Sequence, residues 1–397
     1  MSIDLPAGSP PARVAFYNDP KIRSIAYQVA LCAFIGFLVY AAARNAITNL
    51  ERAHIASGFD FWNNTAGFDI SQTLIQFDSQ TSSYGRAFWV GLLNTLLVAG
   101  IGIVIATILG FIIGIARLSK NWLVAKVAAG YVETIRNLPL LLQLLFWYNA
   151  VLKALPEFRE SFVIPGGIFL NNRGLFIPQP IFKSGFGWVL IALAAGAIGA
   201  IAFYVWARKR QERTGQQAPV FSVGLTLVFG LPLAVLALAG FPLAFVFPAA
   251  GRFNINGGIE VLPEFAALLF GLSIYTAAFI AEVVRAGITA VLRGQTEAAY
   301  SLGLTPGPTL RLIVVPQAMR VIIPPLTSQY LNLTKNSTLA VAIGYPDLVQ
   351  VFTGTVLNNT GQAVEVVAIT MAVYLTISLA TSLLMNLYNS RIALVER

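Results

Sequence analysis

Apolar residues in this chain gather into long runs instead of alternating with polar ones. A hydrocarbon layer about 30 Å thick is crossed by about twenty apolar residues in helix. Eight stretches meet that need, near residues 24 to 44, 88 to 116, 123 to 152, 186 to 207, 220 to 246, 263 to 289, 321 to 351 and 364 to 389. Several exceed a minimal span, which predicts tilt or ends protruding into water. The first run, although followed by small residues in "YAAARNA", is too long for a secretion-signal core of about 7 to 15 residues and reads as an uncleaved anchor. The expected fold class is an all-α integral membrane protein with about eight transmembrane helices.

Composition agrees: 57% of residues are hydrophobic and 11% charged, where soluble domains carry roughly a quarter charged. A single cysteine, Cys32, excludes an intrachain disulfide, and a single histidine, His54, excludes the His/Cys clusters of structural zinc. Both read as passive residues. The net charge of +9 sits at the ends of apolar runs and forms no stripe, which points to topology and membrane lipid, not to nucleic acid.

With the N-terminus inside, the inner segments collect about twice as many Lys and Arg as the outer ones. The basic loop "ARKRQERTG" at 207 to 215 is the strongest single contribution. Both termini are therefore expected in the cytoplasm. The outer segments, 47 to 85 and 157 to 185, are rich in Gly, Asn and aromatics, which suits compact surface structure, either capping the helix ends or meeting a soluble partner.

No lysine follows a glycine as a phosphate-binding loop requires, and HExxH, GxSxG and paired cysteines are all missing from the sequence. The chain is not expected to be an enzyme. Polar groups within its spans make transport the default reading.

One polar segment interrupts this pattern, "TEAAYSLGLTPGPTLRLIVVPQA" at 296 to 318. Thr296 is placed to cap a helix starting at Glu297, and Gly303 to end it in the left-handed conformation. Thr305 followed by Pro306 then predicts a second start. The result would be two short helices joined by a tight turn, too short to be stable unless packed on something. Ala298 and Ala299 would leave one face flat for another protein, while Leu302, Leu304, Leu310, Leu312 and Ile313 would face the chain's own bundle. An ordinary inter-span loop is the competing reading of these local signals.

Spacing resolves the choice. Glu297-Ala298-Ala299, three residues, Gly303, nine residues, then Ile313-Val314-Val315-Pro316 resembles the EAA loop of the membrane subunits of binding-protein-dependent ABC importers, with Val315 alone departing from the pattern. "YVETIRNLPLLLQLLF" at 131 to 146, "YTAAFIAEVVRAGI" at 275 to 288 and "LTKNSTLA" at 333 to 340 resemble the polar amino-acid branch, with Asn137 and Leu138 in place of its usual Gly-Thr. The enlarged layout is similar to the larger permease subunit of general L-amino acid importers of Gram-negative bacteria.

The resemblance implies a type I importer core and a multi-pass bacterial inner-membrane location. It divides the chain into a cytoplasmic segment 1–23, a first helix and periplasmic loop 24–87, core parts 88–153 and 263–390 with the coupling loop 293–320, an insertion 154–262 carrying an additional helix pair, and a tail 391–397. It also implies an ATPase dimer, a periplasmic amino-acid-binding protein and a second permease, related but distinct or a second copy. No cofactor is implied on this chain; ATP and Mg belong to the ATPase. Glu297, Ala298, Ala299, Gly303 and Pro316 would couple the ATPase to the spans.

Glu133 with Arg136, and Glu282 with Arg285, are spaced to share a helix face. Each is either an internal ion pair or a lining of the substrate pathway. Lys335, Asn336 and Ser337 interrupt the seventh stretch, with helix packing and pathway lining as the two readings. Pro139, Pro324 and Pro325 are placed to kink or unwind helices toward a cavity. An ion-gradient transporter would leave the EAA spacing without purpose, and a membrane scaffold would have no need of charges inside its spans.

Overall fold

Among the described helices, two long ones open on side-chain caps. The computed structural model describes residues 20–52 and 57–392. His54 and the ends of both termini lie outside the described residues. Helix α1 (Pro20–Arg52) carries the first apolar span, and none of that span's most apolar window is buried. Cys32 lies exposed on it. α2 (Tyr84–Ala116) opens behind Ser83, whose hydroxyl accepts the Arg86 amide at 3.3 Å. α3 (Trp122–Asn137) opens behind Asn121, whose side-chain oxygen accepts the amides of Leu123 and Val124 at 3.0 and 3.3 Å.

Among the described residues seven helices are long and apolar enough to cross a membrane. The stretch 123–152 is not one of them, because it breaks after α3. Leu138 is extended, with ψ 133°, as the ring of Pro139 demands of the residue before it. A shorter apolar helix resumes as α4 (Leu140–Leu145) and continues through a π-helical turn, Phe146–Leu152. The backbone freed at the break does not open toward a cavity. Gln143 Nε2 donates to the carbonyls of Ile135 at 2.9 Å and Leu138 at 3.0 Å.

Four strands follow: β1 (Phe162–Ile164), β2 (Ile168–Asn171), β3 (Gly174–Ile177) and β4 (Gln179–Phe182). Then come α5 (Phe186–Thr214), α6 (Val220–Leu225) and α7 (Leu231–Leu238). The fifth stretch thus ends at Leu238 and not at 246, where a turn at Gly240, φ 72°, leads into β5 (Leu243–Val246). β6 (Ala249–Ala250), β7 (Ile255–Asn256) and β8 (Ile259–Val261) complete the strands. The sheet order is β1-β2-β3-β8, all antiparallel, with Leu175 opposite Val261. Segments on either side of α5–α7 therefore meet in one small sheet. A side chain at Gly174 would stand 2.4 Å from the Val261 carbonyl oxygen, so this pairing needs glycine there.

The core forms where α8 (Pro263–Thr289) runs beside α2. Gly102, Ala106, Gly110 and Gly114 recur every four residues, which puts them on one face of α2. Side chains at Gly110 and Gly114 would come within 2.5 Å of Ile280 and 2.7 Å of the Ala281 carbonyl oxygen, so the two backbones approach closely. After α8 the chain forms α9 (Arg293–Ser301), α10 (Pro306–Thr309) and α11 (Val315–Asn336). α11 packs antiparallel on α8, with Ile322 against Gly287, and its Leu333 also meets Gly102 of α2. Leu144, Leu268, Leu272, Ile280 and Leu333 are fully buried in this cluster.

The seventh stretch also differs in its limits. Its apolar helix covers Pro306–Ile343, ending in a 3-10 segment, and Gly344, φ 77°, turns the chain. Pro324 and Pro325 lie inside a continuous α11 and do not unwind it. The turn is then clasped onto α2. Asn94 Nδ2 donates to the Pro346 carbonyl at 2.9 Å, and the Leu348 amide donates to Thr95 Oγ1 at 3.0 Å. A π-helical segment, Val349–Val356, α12 (Leu357–Thr360) and α13 (Ala363–Ile392) close the fold. Glu365 at the start of α13 accepts the Gly58 amide at 2.6 Å, tying it to the segment before α2.

Candidate functional site

The EAA segment is built from α9 and the turn that follows it. Leu292 is extended and α9 begins at Arg293, so Thr296 lies within the helix and does not cap it. The earlier start adds most of a turn of backbone hydrogen bonds, while a threonine cap satisfies a single orphan amide. Gly303 ends the helix at φ 79°. Its N–H donates to the Tyr300 carbonyl at 2.9 Å, and the Leu304 N–H donates to that of Ala299 at 3.1 Å. This is the double closure of a left-handed helix end.

Pro306 is the first residue of α10, after an extended Thr305 that makes no side-chain cap. α10 is not a second free-standing helix. It continues through a π-helical turn, Leu310–Val314, into α11, and Pro316 lies at the start of α11. The two alanines do not share a face: Ala299 is buried, while Ala298 and Glu297 are exposed. Nor do all five apolar residues face the bundle. Leu304 and Ile313 are half-buried, but Leu302 is 83% exposed and Leu310 and Leu312 are exposed as well. The segment thus presents an acidic residue and several leucines outward.

The same end of the bundle carries an ionic cluster. Arg117, which closes α2, is hydrogen-bonded to Glu282 of α8 and lies 3.6 Å from Glu133 of α3. Arg285 Nε donates to Glu282 at 3.2 Å. Of the two expected pairs, Glu282–Arg285 forms and Glu133–Arg136 does not. Glu133 turns to Arg117, and the Arg136 guanidinium lies over the Phe279 ring, 5.0 Å from its centroid. Arg136 Nε is buried without a hydrogen-bond partner. Arg117 escapes a one-helix spacing rule because its carboxylates come from two other helices. The signal in the sequence was only a cation at the end of an apolar helix, where the helix dipole favours one.

Beside this cluster lies a cleft of about 260 Å³, lined by Arg136, Phe279, Glu282, Val321, Pro325 and Gln329 among others. Pro325 has no N–H, so the carbonyl of Val321 loses its helical donor. The cleft therefore joins a cation with an unused donor, a carboxylate, a neutral amide and an apolar wall. Lys335, Asn336 and Ser337 are not part of it. Their neighbour Leu333 packs near Ser273, which lies nine residues before Glu282 on α8, or roughly 13 Å at the helical rise. Ser337 is fully buried and donates to the Thr334 carbonyl at 2.8 Å, Asn336 is half-buried, and Lys335 is exposed.

Residues 214–394 match the family described as binding-protein-dependent transport system inner membrane component. The chain is 54% identical over 385 residues, covering 97% of it and 96% of the relative, to the general L-amino acid transport system permease protein AapQ of Rhizobium johnstonii. It is 50% identical to YhdX of Escherichia coli, provisionally named an amino-acid ABC transporter permease protein, with 96% and 97% of the two chains covered. It is 44% identical to the glutamate/glutamine/aspartate/asparagine transport system permease protein BztB of Rhodobacter capsulatus, with 96% of each covered. The similarity thus extends through α1 and the sheet as well as the core helices. The chain belongs to the family of multi-pass inner-membrane permease components of binding-protein-dependent transport systems.

Proposed function

We propose that this chain is the permease of an ATP-driven importer that moves L-amino acids from periplasm to cytoplasm by alternating access. The observation that carries the reading is the segment that bears the EAA spacing: the nine-residue α9, closed by Gly303, is followed by Leu302 and by a π-helical turn whose Leu310 and Leu312 also face outward. So short a helix gains stability from packing, and the outward leucines that follow it need a partner to cover them. An ATPase dimer holding ATP and Mg is the partner of this reading. Glu297, Ala298, Ala299, Gly303 and Pro316 transmit its closure to α11, which α10 and the π-helical turn join to the segment. Both termini are cytoplasmic, a second permease chain completes the pathway, and a periplasmic binding protein supplies the amino acid.

The cleft is the stretch of pathway nearest the coupling segment. Arg136 suits an α-carboxylate, because it lines the cleft and makes no ion pair among the described residues. Glu282 and the Val321 carbonyl suit the ammonium group, although Glu282 and Arg285 first serve the ion cluster. Lys335 and Asn336 line a separate level of the same route, whereas the fully buried Ser337 serves helix packing. The ion-gradient alternative has no comparable support, since Glu282 is already engaged by two arginines.

Co-purification tests the whole reading. A tagged chain brings down an ATPase, and amino-acid uptake into membrane vesicles stops with vanadate while surviving collapse of the ion gradient. Uptake that follows the gradient and ignores vanadate would overturn it.

A further inference from the structure

A second cleft, of about 450 Å³, lies between the small sheet and the helix ends beneath it. Its walls include Leu152, Leu155, Leu170, Leu175, Ala266 and Leu269, and Asn171 supplies the one polar side chain among the described lining residues. Both polar atoms of Asn171 are already engaged within the protein. It is fully buried, its Nδ2 donates to Ser161 Oγ at 2.9 Å, and its Oδ1 accepts the Arg173 amide at 2.8 Å. Water gains little in such a space, whereas an apolar ligand fills it well. The volume falls within the range of small-ligand sites, about 300 to 1,000 Å³.

Position and charge identify the occupant. Pro263, where the apolar helix α8 begins, and Leu152, where the apolar helix 140–152 ends, both line the cleft. It therefore sits where hydrocarbon gives way to headgroups. Lys153 follows directly. It is exposed, its ammonium lies 4.4 Å from the centroid of the Tyr148 ring, and it makes no ion pair among the described residues. Glu264, beside Pro263, is engaged by the Tyr148 hydroxyl at 2.6 Å. A cation at headgroup level next to an apolar slot complements a phosphate joined to an acyl chain.

We propose that this cleft binds one acyl chain of a membrane phospholipid, with the lipid phosphate against Lys153. The test uses the permease with the subunits that co-purify, reconstituted in nanodiscs containing phosphatidylglycerol with a diazirine in one acyl chain. After photolysis, adducts are mapped by peptide mass spectrometry. Adducts at Leu152, Leu155 and Leu170 are expected to exceed those at Val29 and Val39 of α1 several-fold. Ala266→Trp, which fills the cleft, and Lys153→Gln, which leaves its walls intact, each lower the cleft adducts several-fold without changing those on α1. Cleft adducts no more frequent than those on α1 overturn the proposal, as does a yield unaffected by Lys153→Gln. Capture of another subunit by a crosslinker on Leu170→Cys in native membranes also overturns it, by showing that protein fills the space.

Discussion

Glu133 and Arg136 are one turn apart on α3 and do not pair, because Arg117 arrives from another helix and takes Glu133. The same arginine binds Glu282, so Glu282→Gln has two consequences to separate. Losing a charged acceptor costs roughly 1.5 to 3 kcal/mol of stability, and Arg117→Gln is expected to lower the melting temperature of the purified permease comparably. If Glu282 also contacts substrate, Glu282→Gln lowers uptake well beyond Arg117→Gln at equal expression, while ATP hydrolysis continues. Equal uptake by the two variants restricts Glu282 to the ion cluster. Asp78 gives a simpler case. Amide donation by Gln80, then the hydroxyl and amide of Thr81, hold its carboxyl below the ordinary value of 3.8. A lowered folded-state value means that its contribution is present above 3.8 and is lost as pH falls through the lowered value. Protection of the Gln80 and Thr81 amides from hydrogen exchange should decline over that interval, and Asp78→Ala should remove it at neutral pH. Protection that persists in both conditions contradicts this role.

Helices were legible as apolar runs, but two features of their packing were not. The glycine stripe of α2 has a meaning only against α8, where the Ala281 carbonyl leaves no room beside Gly114. Gly114→Ala should destabilise the permease by about 1 to 3 kcal/mol through overpacking. Gly100→Ala, on the same helix with nothing within 4 Å of the added atom, should not. Comparable melting temperatures for the two variants would contradict close α2–α8 packing. Pro139 was legible as a break, yet the capture of the freed carbonyls by Gln143 depends on the fold around it. In the coupling segment Gly303 was readable as a left-handed stop, and Gly303→Asp is expected to leave membrane insertion intact while uncoupling ATP hydrolysis from transport. A mutant with undiminished uptake per ATP would weigh heavily against the coupling role.

At the scale of the whole molecule, stability and function meet in an assembly. α1 leaves its most apolar window unburied and the segment following α9 leaves leucines outward, so adding the ATPase partner to the purified chain is expected to protect α9 and that segment from hydrogen exchange while the sheet remains unchanged. Protection confined to other segments would place the partner elsewhere. By itself the sequence determined the membrane class, the approximate position of most spans, the left-handed stop at Gly303 and the family, because these rest on composition, periodicity and fixed spacing along one strand of chain. Only the tertiary structure decided that Arg117 serves two carboxylates, that Leu302 faces outward, that strands flanking α5–α7 share a sheet, and that an apolar cleft opens beneath it. Each of these depends on residues far apart in sequence reaching the same place, and short-range patterns carry no information about that distance.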